Sequence, residues 1–242
     1  MTMTMTAEHT RRQFSATHWS MVINVDDSHV ADAHAAQVEL CLRAWYPVYA
    51  YLRHRGYPPE AAGAITRDFL QHLFQQLREA GTAHGSGFRQ YLIEQLREFL
   101  EHPSRAAAES VPELAQPPAD LETRNQRDNA GAATAEQAYQ QSFAFELLAR
   151  ALARLRTEAE QTGRLEMFEA IEPYIAIEPS ATEGEQLARR LRLSPFTMAV
   201  ALKRLRQRFR ELIDLELADT VVSADELLAE QQALYAVLRG AG

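Results

Sequence analysis

The chain is short of most residues that would advertise an activity. Its 242 residues contain one cysteine, Cys41, so no intrachain disulfide can form, and the sequence suits a reducing compartment. Glycine and proline number 10 each, strand-forming residues rarely alternate with polar ones, and no Asn-Gly hairpin signal appears. Sheet architectures are therefore not expected. No apolar run approaches the roughly 18 to 20 residues that cross a bilayer. The opening "MTMTMTAEHTRRQF" also lacks the apolar centre of a secretory signal, so a cytoplasmic protein with no membrane partner is expected. There is no Gly-x-Ser-x-Gly elbow and no phosphate-cradling glycine loop. His29 and His34 miss the spacing that puts two ligands on one helical face, and Cys41 has no second cysteine. An enzyme, a bound metal and a cofactor are accordingly not expected.

What the chain does have is Ala, Leu, Glu, Gln and Arg in abundance, a helical composition, with 46% hydrophobic residues to build a core. Its formal net charge of -8 argues against an evenly basic nucleic-acid coat. Against that background stands "LARRLRLSPFTMAVALKRLRQRFREL", residues 187–212, with eight Arg and Lys and no acid before Glu211. Ser194 is a good helix cap and Pro195 fits the first helical position. The preceding "EGEQLARRL" makes a short helix. Helix, tight turn and longer helix form the outline of a helix-turn-helix. Small Ala188 belongs at the crossing, with Met198, Ala201, Leu202, Leu205 and Phe209 turned inward. Thr197, Lys203, Arg204, Arg206, Arg208 and Arg210 are left facing out, toward phosphates and base edges. Arg192 falls where such turns favour glycine for its left-handed backbone.

Upstream, residues 1–13 read as a disordered tail, and Phe14, Trp19, Met21 and Val22 can pack on the helices after them. Helical periodicity begins at Asp32 and breaks at Pro47, which predicts a second helix over "YPVYAYLRHR" closed by Gly56. A third helix starts at "PPE", with Ile65, Phe69, Leu70, Leu73, Phe74 and Leu77 at helical spacing. A fourth, "FRQYLIEQLREFL", comes after the turn "GTAHGSG". Residues 103–135, poor in large apolar side chains, read as a flexible linker. The expected fold is all-α: two small helical domains, 14–102 and 136–242, joined by that linker.

The blocks "FSATHWSMV", "LCLRAWYPVYAYLRHRGYPPEAA", "FLQHLFQQL" and "GFRQYLIEQLREFL", then "FELLARALARLRTEAEQTGRLEMFEAIEPYI" and the basic stretch, resemble bacterial RNA polymerase sigma factors of the extracytoplasmic-function group. The resemblance covers about Phe14 to Leu238, apart from the linker. It implies a first domain that binds core polymerase (β′ and β subunits) and the −10 promoter element. The second domain would read the −35 element through Arg192, Ser194, Thr197, Lys203, Arg204, Arg206 and Arg208. In such proteins the third helix docks on the polymerase, which points to Ala61, Ala64, Ile65, Thr66, Phe69 and Leu70 here. Ala61 and Ala64 stand where the family carries acids. A phosphate on Thr66 would restore negative charge, making Thr66 the expected phosphorylation site and a Ser/Thr kinase or an anti-sigma factor the expected regulatory partner. The family's basic and aromatic melting residues are also missing: "EFLEHPSRAAAESVPEL" leaves Arg105 alone amid acids, although Arg89 and Arg97 remain on the fourth helix. The competing reading is a stand-alone helix-turn-helix regulator, or a sigma-like adaptor that does not melt promoters.

Overall fold

The computed structural model describes residues 17–23, 30–79, 87–102 and 111–240, and all its regular elements are helical. In chain order they are α1 His18–Ile23, α2 Val30–His54, α3 Pro59–Glu79, α4 Phe88–Glu101, a 3-10 turn Pro112–Leu114, α5 Leu121–Asp128 and α6 Ala135–Gln161. Next come α7 Leu165–Ile171, a 3-10 turn Glu172–Tyr174, α8 Ala181–Arg190, α9 Pro195–Ala218 and α10 Ala224–Gly240. None of these helices is long and apolar enough to cross a membrane. The expected tail 1–13, with Phe14 and His29, lies outside the described residues.

The chain divides into two units, the first made of residues up to Glu146 together with Leu217 onward, the second of Leu147–Glu216. In the first, α2 is the central helix. It runs unbroken through Pro47, where the sequence predicts two helices. An interior proline costs a helix about 3 kcal/mol. Here Ala44, Trp45, Val48, Ala50 and Leu52 are all wholly buried, so packing on every side outweighs the lost hydrogen bond. Helices α1, α3, α4 and α5 pack against α2, and Trp19 of α1 meets Phe88 and Tyr91 of α4 at ring distances of 5.4 and 5.3 Å.

Residues 111–135 depart from the expected linker. Val111, Leu114 and Leu121 are buried in the same core as Trp45. Tyr49 donates to Glu122 at 2.6 Å, and the Arg53 guanidinium grips both oxygens of that carboxylate at 2.8 Å. Asn129 reaches Tyr46, Asn125 and Ser142 from a position 2% exposed. A largely polar sequence is thus held by a few buried apolar anchors together with side-chain hydrogen bonds to α2. Residues 103–110, with Arg105, lie outside the described residues.

The C-terminal segment also belongs to the first unit, where the sequence assigns all of 136–242 to the second domain. Trp19 N donates to Asp219 O at 3.0 Å, Phe88 N to Thr220 O at 2.8 Å, and Thr17 Oγ1 to Val221 O at 3.0 Å. Arg43 reaches the Asp219 carboxylate at 3.4 Å, and Arg89 of α4 holds Glu230 of α10 through bonds of 2.6 and 3.0 Å. Gly87 sits close against this segment, where a Cβ would lie 3.2 Å from Thr220 O and press on that carbonyl by a few tenths of an ångström.

The second unit has leaner packing. One cluster joins Ala170, Ile171, Leu187, Ala188 and Met198, and another joins Ala151, Leu155, Phe168 and Leu212. Glu216, 2% exposed, sits between Arg150 at 3.3 Å and Arg154 at 2.8 Å. Those bonds satisfy a carboxylate that could not stay buried and charged without them.

Candidate nucleic-acid interface

The helix-turn-helix outline is present as α8, a four-residue turn and α9. Ser180 starts α8 with a reciprocal cap: its hydroxyl accepts from Glu183 N, and the Glu183 carboxylate accepts from Ser180 N at 2.8 Å. The helix ends in a paired turn, with Leu193 N donating to Ala188 O at 2.8 Å and Arg192 N to Arg189 O at 3.1 Å. This geometry needs a left-handed residue between the two bonds, and Arg192 supplies it with φ 55°. The Ser194 hydroxyl then accepts from Thr197 N at 3.1 Å and lies 2.8 Å from the Thr197 hydroxyl, opening α9 with Pro195 first. Met198 is buried against Leu187 and Ala188, Leu202 is buried as well, and Ala201, Leu205 and Phe209 are half-buried.

The basic stretch separates into two populations. Arg206 is mostly buried and donates to the carbonyls of Tyr174, at 2.7 and 3.2 Å, and Ile177, at 2.6 Å, while also pairing with Glu178. Arg208 grips Glu158 of α6 at 2.7 and 2.9 Å and Glu211 at 3.0 Å. The Arg208 guanidinium beside it holds the Glu158 carboxyl below the usual carboxylate range. These two arginines, expected as DNA contacts, serve instead to fasten α9 to its neighbours. The compensating acids come from elsewhere in the chain, so a window over residues 187–212 could not reveal them.

The second population is exposed. Arg190, Arg192, Lys203, Arg204 and Arg210 face solvent and form no ion pair among the described residues. Ser194 and Thr197 are exposed beside them. A groove of about 560 Å³ runs along this region, lined by Pro195, Met198, Ala199 and Leu202, with Lys203, Arg206 and Arg210 as its cations and Glu178 and Glu185 as its acids. The first turn of α9 contains no acid, so nothing on the helix offsets its positive end. Phe196, 79% exposed, stands in that turn. Nothing in the sequence pattern singles it out, because an apolar residue at helical spacing reads as core.

The residues expected to dock polymerase divide by burial. Ala61, Ala64 and Ile65 are partly exposed along α3, whereas Phe69 and Leu70 are wholly buried and serve the core. Thr66 is 0% exposed and its hydroxyl donates to Ala62 O at 2.7 Å. In this fold a kinase has no access to that oxygen, and a phosphate there would put roughly two charges into an apolar core. The expected phosphorylation site is therefore a core hydroxyl. No protein-family model, no curated protein and no solved structure matches the chain.

Proposed function

We propose that this protein is a sigma-like transcription factor whose helix-turn-helix binds promoter DNA while the α1–α4 bundle engages core RNA polymerase. One observation carries the reading: a capped, two-sided helix-turn-helix presents five cations that no acid of the described chain neutralises. Solvated surface helices ordinarily pair such charges, and the same chain does pair Arg206 and Arg208. Uncompensated cations grouped on α9, the turn before it and the end of α8 form the electrostatic footprint of a phosphate ligand. The polymerase half of the proposal rests on the resemblance of the N-terminal blocks and on the part-exposed Ala61, Ala64 and Ile65 of α3.

Gel filtration of the full chain with core polymerase, then binding to fluorescent promoter duplexes at several salt concentrations, tests both halves. Co-elution with polymerase is expected. Replacing Lys203, Arg204 and Arg210 together by alanine should reduce affinity and flatten the salt dependence by roughly 0.9 per lost phosphate contact. An unchanged slope removes the proposed face from DNA. One observation favours the stand-alone regulator instead. Residues 135–146 and 217–230, on either side of the second unit in the chain, both belong to the first unit, the former through buried Tyr139 and Phe143, the latter through the Thr220 and Val221 carbonyls and the Arg89–Glu230 pair. A regulator of that kind shifts its duplex without polymerase.

A further inference from the structure

Among the described residues Phe196 is the most exposed large apolar side chain, at 79% against 60% for Ile177 and 55% for Tyr235. A single exposed apolar residue is ordinary on a protein surface, so its setting must decide. It is the second residue of α9, directly after the Ser194 cap and Pro195, in a first turn with no acid. At about 100° per residue, Lys203 and Arg210 lie on the same side of α9 as Phe196, one further along each pair of turns. All three are exposed, and neither cation is paired among the described residues. The aromatic ring therefore heads a row of free positive charge. A protein-docking aromatic usually sits in an apolar patch with charges at its rim. Here the row itself is cationic, which favours a polyanion with apolar features between its phosphates. The major groove of DNA is such a surface, because each thymine displays a methyl group there and phenylalanine is among the side chains that pack on it.

We propose that Phe196 is a specificity-determining residue that selects a thymine through its 5-methyl group, with Lys203 and, farther along the helix, Arg210 holding phosphates of the same duplex. This deepens the DNA-binding reading and rests on it. Ser194 fixes the start of the helix through Thr197 N, so the ring is carried on a capped, regular turn rather than on a loose one. Because the side chain is exposed, shortening it leaves the fold intact, and a loss of recognition can be separated from a loss of structure.

The test uses the full chain, with and without core polymerase, and duplexes selected from a randomised pool by the wild type. Each thymine of the selected duplex is replaced in turn by deoxyuridine, which removes the methyl and keeps the hydrogen-bonding edge. The wild type is expected to lose about fourfold in affinity at one position, the worth of one buried methyl group. Phe196→Ala is expected to bind thymine and uracil duplexes equally at that position and to select pools without that thymine. If uracil costs both proteins the same, or costs neither anything, Phe196 does not read a thymine and the proposal falls while DNA binding stands. If Phe196→Ala lowers capture of core polymerase and leaves the DNA preference unchanged, the ring is a protein contact and the proposal falls. Failure of the wild type to bind any duplex, alone or with polymerase, overturns the parent reading as well.

Discussion

Around Trp45 the first unit packs rings and long aliphatic side chains from six helices into one continuous core. Around Met198 the second unit joins mostly small and aliphatic residues into separate clusters, and much of its remaining cohesion comes from guanidinium groups. The difference teaches where each region keeps its stability. A broad apolar core tolerates polar neighbours, so α5 and its turn can be held to the first unit by tyrosine, asparagine and glutamate. A small one leans on charge-assisted hydrogen bonds, and that demand recruits arginines that look, in sequence, like ligands for phosphate. The same residue type is structural at Arg206 and Arg208 and available at Arg204 and Arg210.

The sharpest way to break this comparison is to remove one large side chain from each core. Trp45→Ala should cost about 3–5 kcal/mol, the usual range for a buried aromatic, and Met198→Ala about 2–3 kcal/mol, because a small cluster collapses more easily around the gap. Urea denaturation monitored by circular dichroism measures both. A larger loss for Met198→Ala would mean that the second unit is not the leaner one.

The next largest effect separates the two populations of cations. Arg206→Met keeps the length of the side chain but abandons the carbonyls of Tyr174 and Ile177, and it should cost about 2–3 kcal/mol of stability. Arg204→Met abandons no partner among the described residues and should leave the unfolding midpoint where it is while weakening DNA binding. Equal behaviour of the two variants in both assays would erase the division between locked and free cations.

Much of this was legible locally. The cap at Ser194, the proline after it, the need for a left-handed residue at Arg192 and the four apolar stripes of the first unit are all written within a few residues of where they act. Three features were not. Pro47 sits inside a helix because buried side chains surround it, and no window of the sequence shows burial. The 111–135 segment is poor in large apolar side chains and reads as linker, yet Val111, Leu114 and Leu121 enter the core, and Tyr46, Tyr49 and Arg53 of α2 supply its polar partners from about 70 to 80 positions away. Glu158 and Glu178 neutralise the basic stretch from 50 and 28 positions upstream. Local chemistry sets the elements, while long-range pairing decides which charges remain for function.

Within the first unit, Glu122 offers a smaller and pH-dependent test of how the α5 segment is held. The Arg53 guanidinium leads the groups that lower its carboxyl, with Tyr49 and Gln126 also donating to it, from its ordinary value near 4.5 to about 2. A depressed carboxylate stabilises the fold fully above its unfolded pKa, and that contribution is lost as pH falls from about 4.5 through about 2. Glu122→Gln should therefore cost about 1–2 kcal/mol at neutral pH, after allowance for its partial exposure. The variant should also show a flatter fall in urea midpoint than the wild type between about pH 5 and 3. Parallel curves would mean that α5 is held by its apolar contacts alone.

The smallest effect has the opposite sign and returns to the turn of the helix-turn-helix. Among the described residues three helices end in the same pair of hydrogen bonds around a left-handed residue: α2 at Gly56, α6 at Gly163 and α8 at Arg192. Two of the three use glycine, which adopts that backbone without strain. The third places an L side chain there at φ 55°, at a cost of about 1 kcal/mol. Arg192→Gly should thus stabilise the protein by about 1 kcal/mol or slightly less, the gain offset in part by glycine's greater freedom when unfolded. If the exposed guanidinium serves DNA, the same variant should bind duplexes more weakly and with a shallower salt dependence. A stabilised protein with unaltered DNA affinity would leave the strain at Arg192 without a functional counterpart. A weakened one would show stability given up at the one such turn that faces the proposed ligand, and Arg192→Lys, which keeps the charge and the strain, should then restore most of the affinity and none of the stability.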